Sequence, residues 1–386
     1  MPKYSVLLTV YNSEKYLDEC FNSILCQTFN DFEVVVVDDA STDSSGKICD
    51  KYARKDSRVK VIHKANEGVN VARKTAFENS TGDYILTVDC DDIIDHDLIE
   101  TVDGIFEKYS CDIVMFDLSI FDNKTGKVTI KKMSEKSCFY DKKNKKELYL
   151  ILLNRCMNSL CTKCCRREIY GRSFDFLKYL SMCHGEDWFQ SAIQVYKMKT
   201  GYYLQRPMYH YRNLGSSLSH SFDLDSFRLN SDSLSDVKAM IIDDGYFDAE
   251  VKAMWKAYAR KVVNTLLLGL SDSGMSMKEK IGTVKSVADT DIYKTAIDND
   301  ADYGSSRMTV LKFRLLKNKM YRLLFALMKN RNLWFLQALI NMNQHCERSD
   351  KGYDIGYCHE PKQSVKSEPN RKQKHKTYAA NNFSEH

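Results

Sequence analysis

The stretch YILTVDCDDIID, residues 84–95, ends an apolar run with three carboxylates in four positions, Asp89, Asp91 and Asp92. Like charges this close raise one another's pKa or recruit a cation. Carboxylate oxygens suit a hard divalent ion such as Mg2+ or Mn2+, which often bridges to substrate phosphates. The local chemistry therefore points to a metal-diphosphate site. The plainer alternative is a solvated loop, with Asp95 as cap of the next helix, and for Asp95 the plainer reading is preferred. A second acidic group, Asp38, Asp39 and Asp43, follows the run FEVVVV together with Ser41 and Thr42. A third, Glu186-Asp187 in GEDWF, reads from its residues alone as the capped, dipole-matched start of a helix at Trp188.

Elements must bring such groups together. KYSVLLTV is a continuous apolar strand, and SEKYLDECFNSILCQ a helix with Leu17, Cys20, Phe21, Ile24 and Leu25 on one face and Ser13 as its cap. FEVVVVDD is a strand apolar on both faces. SSGKICDKYARK (helix), VKVIH (strand), VNVARKTAFENS (helix), YILTV (strand), DHDLIETVDGIFEKY (helix) and CDIVMFDL (strand) continue the alternation. This order predicts an α/β fold with a mostly parallel sheet and helices on both faces, where ligands bind beyond the carboxyl ends of the strands. Tyr11-Asn12, the Asp38–Asp43 group and the Asp89–Asp92 group all fall at that edge. Further on, FDNKTGKVTI predicts a hairpin, residues 141–170 a mostly helical stretch, GEDWFQSAIQVYKM a loop feeding a helix, and GYYLQRPMYHYRN a strand. Residues 222–300 read as largely helical.

The chain has 386 residues, room for one large domain and a smaller one. A net charge of +5 over this length does not suggest a nucleic-acid binder. No run is apolar enough to span a bilayer, and the N-terminus lacks a secretory pattern, so a cytoplasmic location is expected. Thirteen irregularly spaced cysteines argue against a disulfide framework. Cys161, Cys164 and Cys165 contain a C-x-x-C, but no second ligand pair follows at zinc spacing; Cys156, Cys183 and His184 are near but irregular. From Arg307 to Arg331 inclusive there are eight Lys or Arg, and no acidic residue lies between Tyr303 and Cys346. Segment 307–340 therefore reads either as an interfacial amphipathic helix, placing the protein peripherally at the inner face of the membrane, or as a helix packed on its own domain. From about Ser349 the chain is polar and Lys-rich, a disordered tail by composition. The expected organisation is 1–220, 221–345 and 346–386.

The segments SVLLTVYNSEKYLDECFNSILCQTFNDFEVVVVDDASTDSSG, NEGVNVARKTAFENSTGDYILTVDCDD and GEDWF, in this order and spacing, resemble the family 2 glycosyltransferases of bacterial surface-polysaccharide synthesis, over roughly residues 3–220. The resemblance implies the GT-A fold, Rossmann-like, followed by a helical C-terminal region. It implies a metal-dependent, inverting transfer from a UDP-sugar to a glycan or lipid-linked glycan. Thr9, Val10 and Tyr11 would line the base pocket, Asp39 would accept from uracil, and Arg73 would lie near base and diphosphate. Asp89 would hold ribose and metal, with Asp91 the more direct ligand of Mg2+ or Mn2+. Asp187 would be the general base, and Glu186 would position the acceptor or the loop. HYRNLGSSLSH matches a segment whose Arg212 and Ser216, with Ser217 or Ser219, would contact diphosphate. Lys163 falls where many members carry a basic residue, but the Trp usual nearby is absent.

Rival functions fare worse. VYNSEKY has no G-x-G-x-x-G and the chain has no P-loop, which excludes the usual dehydrogenase and NTPase sites. A nucleotidyltransferase would show a Gly- and Lys/Arg-rich first loop. A sugar-nucleotide-binding or membrane-scaffold protein without turnover is the non-enzymatic alternative, and intact Asp-x-Asp and Glu-Asp pairs count against it. A basic tail binding nucleic acid is another, and it predicts salt-dependent binding lost on truncation near Ser349.

Overall fold

The computed structural model describes residues 1–122, 125–154, 158–175, 177–182, 185–214, 224–298 and 307–329. The first half alternates as its sequence predicts: β1 (Tyr4–Val10), α1 (Leu17–Leu25), β2 (Phe32–Asp39), α2 (Ser45–Lys55), β3 (Val59–Lys64), α3 (Val69–Glu78), β4 (Tyr84–Asp89), the short β5 (Ile93–Ile94), α4 (Leu98–Tyr109) and β6 (Ile113–Phe121). Strands β3, β2, β1 and β4 are parallel neighbours in that order. Successive strand residues point to opposite faces. On one face Tyr4, Val6, Leu8 and Val10 of β1 join Leu17, Phe21 and Ile24 of α1, Tyr52 of α2 and Val102 and Phe106 of α4 in one buried cluster. Each such side chain contributes about 1.5–3 kcal/mol by leaving water. Helix α3 packs on β1 and β2 but adds nothing to that cluster, so it covers the other face.

Beyond β6 the chain forms β7 (Val128–Lys131), hairpin-paired with β6, then β8 (Cys138–Tyr140), α5 (Lys145–Leu153), β9 (Lys163–Arg166), α6 (Arg167–Arg172), α7 (Glu186–Lys197) and β10 (Gly201–Arg212). The full order is β3-β2-β1-β4-β9-β6-β10-β5, with β7 on β6 and β8 on β10. Strand β9 corrects the sequence expectation of helix across 141–170. Four residues, KCCR, run antiparallel between β4 and β6. Cysteine carries no β-branched signal, and a strand this short and buried shows no alternation. Strand β10 tolerates Pro207 because its pairing with β6 shifts register on both sides of that residue.

Two predicted caps are also corrected. Helix α1 starts after Tyr16 without a side-chain cap, and Ser13 Oγ turns back to the Tyr11 carbonyl. Helix α4 follows Asp97; the Asp95 carboxylate instead meets His210 Nε2 at 2.6 Å and Arg206 at 3.3 Å.

The helical region comprises α8 (Leu224–Asp243), α9 (Ala249–Asp272), α10 (Met277–Ser286), α11 (Asp291–Ile297), α12 (Arg307–Lys317) and α13 (Tyr321–Lys329). Asp248 caps α9, and Ser276 with Glu279 forms a capping box on α10. The described part of segment 307–340 is packed on its own domain. Phe313, Leu315 and Leu316 of α12 and Tyr321, Leu324, Phe325, Leu327 and Met328 of α13 are buried, with α13 against α9 and α10. That apolar face is not available to lie in a membrane. Residues 1–331 form one compact unit; the predicted tail lies outside the described residues.

Candidate active site

The carboxyl ends of β1, β2 and β4 deliver three loops to one edge of the sheet. The first two are latched together. Asn12, in the left-handed region at φ 48°, accepts from the Thr42 backbone N–H at 2.8 Å through Oδ1, while its own N–H donates to Ser41 Oγ at 3.0 Å. Thr9 is buried, and Tyr11 stands half-exposed over the edge. The Asp39 carboxylate is fully engaged. It accepts from the backbone N–H groups of Glu67 (3.1 Å) and Gly68 (2.9 Å) and from Lys64 Nζ (3.0 Å). Gly68, at φ +88°, is the residue before α3, where a side chain would be strained. Asp39 thus anchors the start of the helix that carries Arg73.

Arg73 is the hub. Its guanidinium is buried and donates to Asp187 Oδ1 at 2.6 Å and to Asp89 Oδ1 at 3.3 Å, while its Nε has no partner among the described residues. Burial disfavours its charge, but Asp187 and Asp89 more than offset that and hold it firmly protonated. Asp187 comes from the first turn of α7. Gly185 makes the turn into that helix at φ +82°, and a Cβ there would meet Asn230 Oδ1 at 2.6 Å. Three motifs far apart in sequence therefore meet at one side chain.

The β4 loop is strapped from behind. Tyr209 OH donates to Asp92 Oδ2 at 2.7 Å and accepts from the Asp89 N–H at 3.1 Å. The Arg212 backbone N–H donates to Asp92 Oδ1 at 2.8 Å, and its Nε to the Asp91 carbonyl at 2.8 Å. Arg212 Nη2 donates to Glu19 Oε2 at 2.5 Å, with the guanidinium between the rings of Tyr16 and Phe121. So Arg212, expected as a diphosphate contact, holds the Asp-x-Asp loop here. Cys161, in the turn before β9, directs its thiol to Asp89 Oδ2 at 3.1 Å; burial, with Asp89 adding to it, pushes the thiol pKa far up, so it remains a donor. Cys164 packs in the core cluster. Lys163 Nζ donates to Ser191 Oγ at 2.9 Å and to the Ser159 carbonyl; burial lowers its pKa to about 8. Ser216, Ser217 and Ser219 lie outside the described residues, as do Cys156, Cys183 and His184.

Two carboxyls stay short of partners. Asp91 makes no ion pair among the described residues, and burial and neighbouring Asp89 raise its pKa. Glu186 lines a small cleft with Ser173, Tyr179, Met182 and Gln190, and burial and neighbouring Asp187 push its pKa up to about 7. Among the described residues no three His, Cys, Asp or Glu side chains gather as a metal cage. Asp91 and Asp89 alone suit an ion that keeps water and diphosphate oxygens as its other ligands, which is Mg2+ or Mn2+ chemistry.

Of the residues that sequence reasoning brought forward, Arg73, Asp89 and Asp187 meet directly, with Asp91 and Glu186 next to them in the same loop and helix start. That reasoning missed Cys161, Tyr209 and Glu19. Tyr209 and Asp92 are 117 residues apart, and no local pattern links them.

Comparison with known proteins bears on family and fold. Residues 5–174 match the glycosyl transferase family 2 profile. Glycosyltransferase GlyA of Streptococcus pneumoniae is 27% identical over 358 residues, 90% of this chain and 50% of GlyA. Putative glycosyltransferase EpsH of Bacillus subtilis is 29% identical over 55% of this chain and 61% of its own length. The chain thus spans about half the length of GlyA. The solved structure of Staphylococcus aureus TarS 1–349 aligns with a TM-score of 0.62 at 19% identity, covering 87% of this chain and 92% of that one; its complex with UDP-GlcNAc aligns at 0.64. At that identity the likeness carries the fold, which is GT-A. Profile and fold coincide over the sheet that holds these loops, and residues 5–174 match the family 2 glycosyltransferase domain.

Proposed function

We propose that this protein transfers a hexose or N-acetylhexosamine from a UDP-sugar to a glycan, or a lipid-linked glycan, of the cell surface, inverting the anomeric centre. The observation that carries this reading is Arg73, which ties Asp187 to Asp89. A carboxylate suited to take a proton thereby stands beside one suited to a donor diphosphate. Asp187 Oδ1 is fixed by Arg73, while Oδ2 has no hydrogen-bond partner among the described residues and is free to accept the proton of an acceptor hydroxyl. Glu186, in the adjacent cleft, is placed to orient that acceptor. Thr9, Tyr11 and Asp39 border the region for the base. A divalent ion held by Asp91 and Asp89 would offset charge on the leaving diphosphate. UDP as carrier is supported by the likeness to TarS, which binds UDP-GlcNAc.

The test is UDP release from a panel of UDP-sugars with Mn2+ or Mg2+, with and without EDTA. Release from one donor, abolished by EDTA, is expected. No release from any donor, combined with no UDP-induced rise in melting temperature, would refute the UDP reading.

A further inference from the structure

The junction between α12 and α13 is built in an unusual way. Helix α12 ends in a Schellman-type turn. The Met320 N–H reaches the Leu315 carbonyl at 2.9 Å, and the Lys319 N–H the Leu316 carbonyl at 3.1 Å. The residue in the left-handed position of such a turn is usually glycine, because a side chain is strained there. Here it is Lys319, at φ 57°. The backbone would be better served by glycine, so the turn does not explain the lysine.

Its surroundings do. Arg314, Lys317 and Arg322 are exposed beside Lys319, and none of the four makes an ion pair among the described residues. The nearest acidic residues in sequence lie before Tyr303 and after Cys346. Two large aliphatic side chains stand out in the same seven-residue stretch, Met320 at 47% and Leu323 at 42% exposure. Their neighbours on α13, Leu324 and Phe325, are fully committed to the core. Met320 and Leu323 are therefore apolar groups that packing leaves outside, set among cations. Anionic lipid headgroups pair with the cations, and the acyl boundary receives the two aliphatic tips. Nucleic acid would pair with the same cations but prefers exposed aromatic stacking platforms, and the one aromatic of this turn, Tyr321, is buried.

We propose that the turn Lys317–Leu323 is a docking surface for an anionic phospholipid bilayer, working by the tips of its side chains while the apolar faces of α12 and α13 stay packed inside the protein. It goes beyond the reaction assigned above and does not depend on it.

The test is co-sedimentation of the full chain with phosphatidylcholine vesicles, with and without phosphatidylglycerol, at low and high salt. Binding is expected only with phosphatidylglycerol and is expected to fall with salt. Lys319→Gly is the discriminating variant. It should raise the melting temperature by relieving the turn, yet weaken vesicle binding about fivefold, the loss expected for one surface cation. Met320→Ser with Leu323→Ser should weaken binding without abolishing its salt dependence. Vesicle binding unchanged in both variants overturns the proposal. So does binding to single-stranded DNA that matches the vesicle binding in strength and is lost with the same substitutions. UDP release in solution should be unaffected by these changes, so failure here is distinguishable from failure of the catalytic reading.

Discussion

The loops after β1 and β2 and the loop after β4 all carry acidic side chains, but their chemistry differs. Asp38 and Asp39 are satisfied. Asp38 accepts from the Ser41 N–H and faces His63, and Asp39 has two backbone donors and Lys64. In the β4 loop and at the start of α7, Asp91 has no ion pair among the described residues, Asp92 is pushed up to about 8 by burial, Asp89 and Asp91, and Glu186 to about 7 by burial and Asp187. The contrast teaches which side is finished. The first pair of loops is a preformed wall. The β4 loop and the start of α7 hold charge that a cation and a substrate must complete.

The comparison can be broken most severely at the unfinished side. Asp187→Asn and Asp91→Ala should each lower turnover by about 10²–10⁴-fold, read as UDP release; Asp91→Ala should leave the melting temperature nearly unchanged, whereas Asp187→Asn also lowers it by taking a counter-charge from buried Arg73. Turnover equal to that of the unaltered chain in both would sink the site assignment. Arg73→Met should be the largest stability loss, about 3–5 kcal/mol by denaturant titration, because it leaves Asp187 and Asp89 beside a vacated buried position. Asp39→Ala tests the finished wall. It strands the N–H groups of Glu67 and Gly68 and should lose about 1–3 kcal/mol with a raised donor KM; an unchanged melting curve would show that the wall is not held this way.

The pH dependence is a finer probe. Glu186 has a folded pKa of about 7 against an ordinary 4.5. Between those values the folded chain binds more protons than the unfolded one, so this group's contribution to stability falls as pH rises from about 4.5 to 7. Glu186→Gln should flatten the melting temperature over that window; an unaltered slope would contradict the burial assigned to this carboxyl. The smallest effect lies far from both regions. Ser276→Ala removes the α10 capping box and should lose about 1 kcal/mol with UDP release intact.

Much of this could be read from the chain. Continuous apolar runs such as SVLLTV and EVVVV can only be buried strands, and the polar residues at their ends then had to share an edge. The residues meeting at Arg73 were legible because each stands in a motif with its own spacing. What escaped had no local signal. Strand β9 is four residues of Lys, Cys, Cys and Arg whose only reason to be extended is the gap between β4 and β6. Cys161, whose spacing already argued against a zinc site, is a thiol donor to Asp89, a role no local pattern announces. Arg212 has a second role that its motif did not announce, with Nε bonded to the Asp91 carbonyl and Nη2 to Glu19. The amphipathic pattern of 307–329 was real, but periodicity does not say whether an apolar face meets lipid or the chain's own α9.

The profile match ends at residue 174, whereas the carboxylate facing Arg73 sits at position 187. A recombinant chimera cut at that natural-looking seam would leave the guanidinium with Asp89 but separate it from Asp187, the nearer of its two carboxylates. Exchanging second halves among relatives, as an engineer seeking a new acceptor would do, therefore carries a compatibility rule: the incoming half must present a carboxylate at the first turn of its helix, or the receiving half must give up its arginine as well.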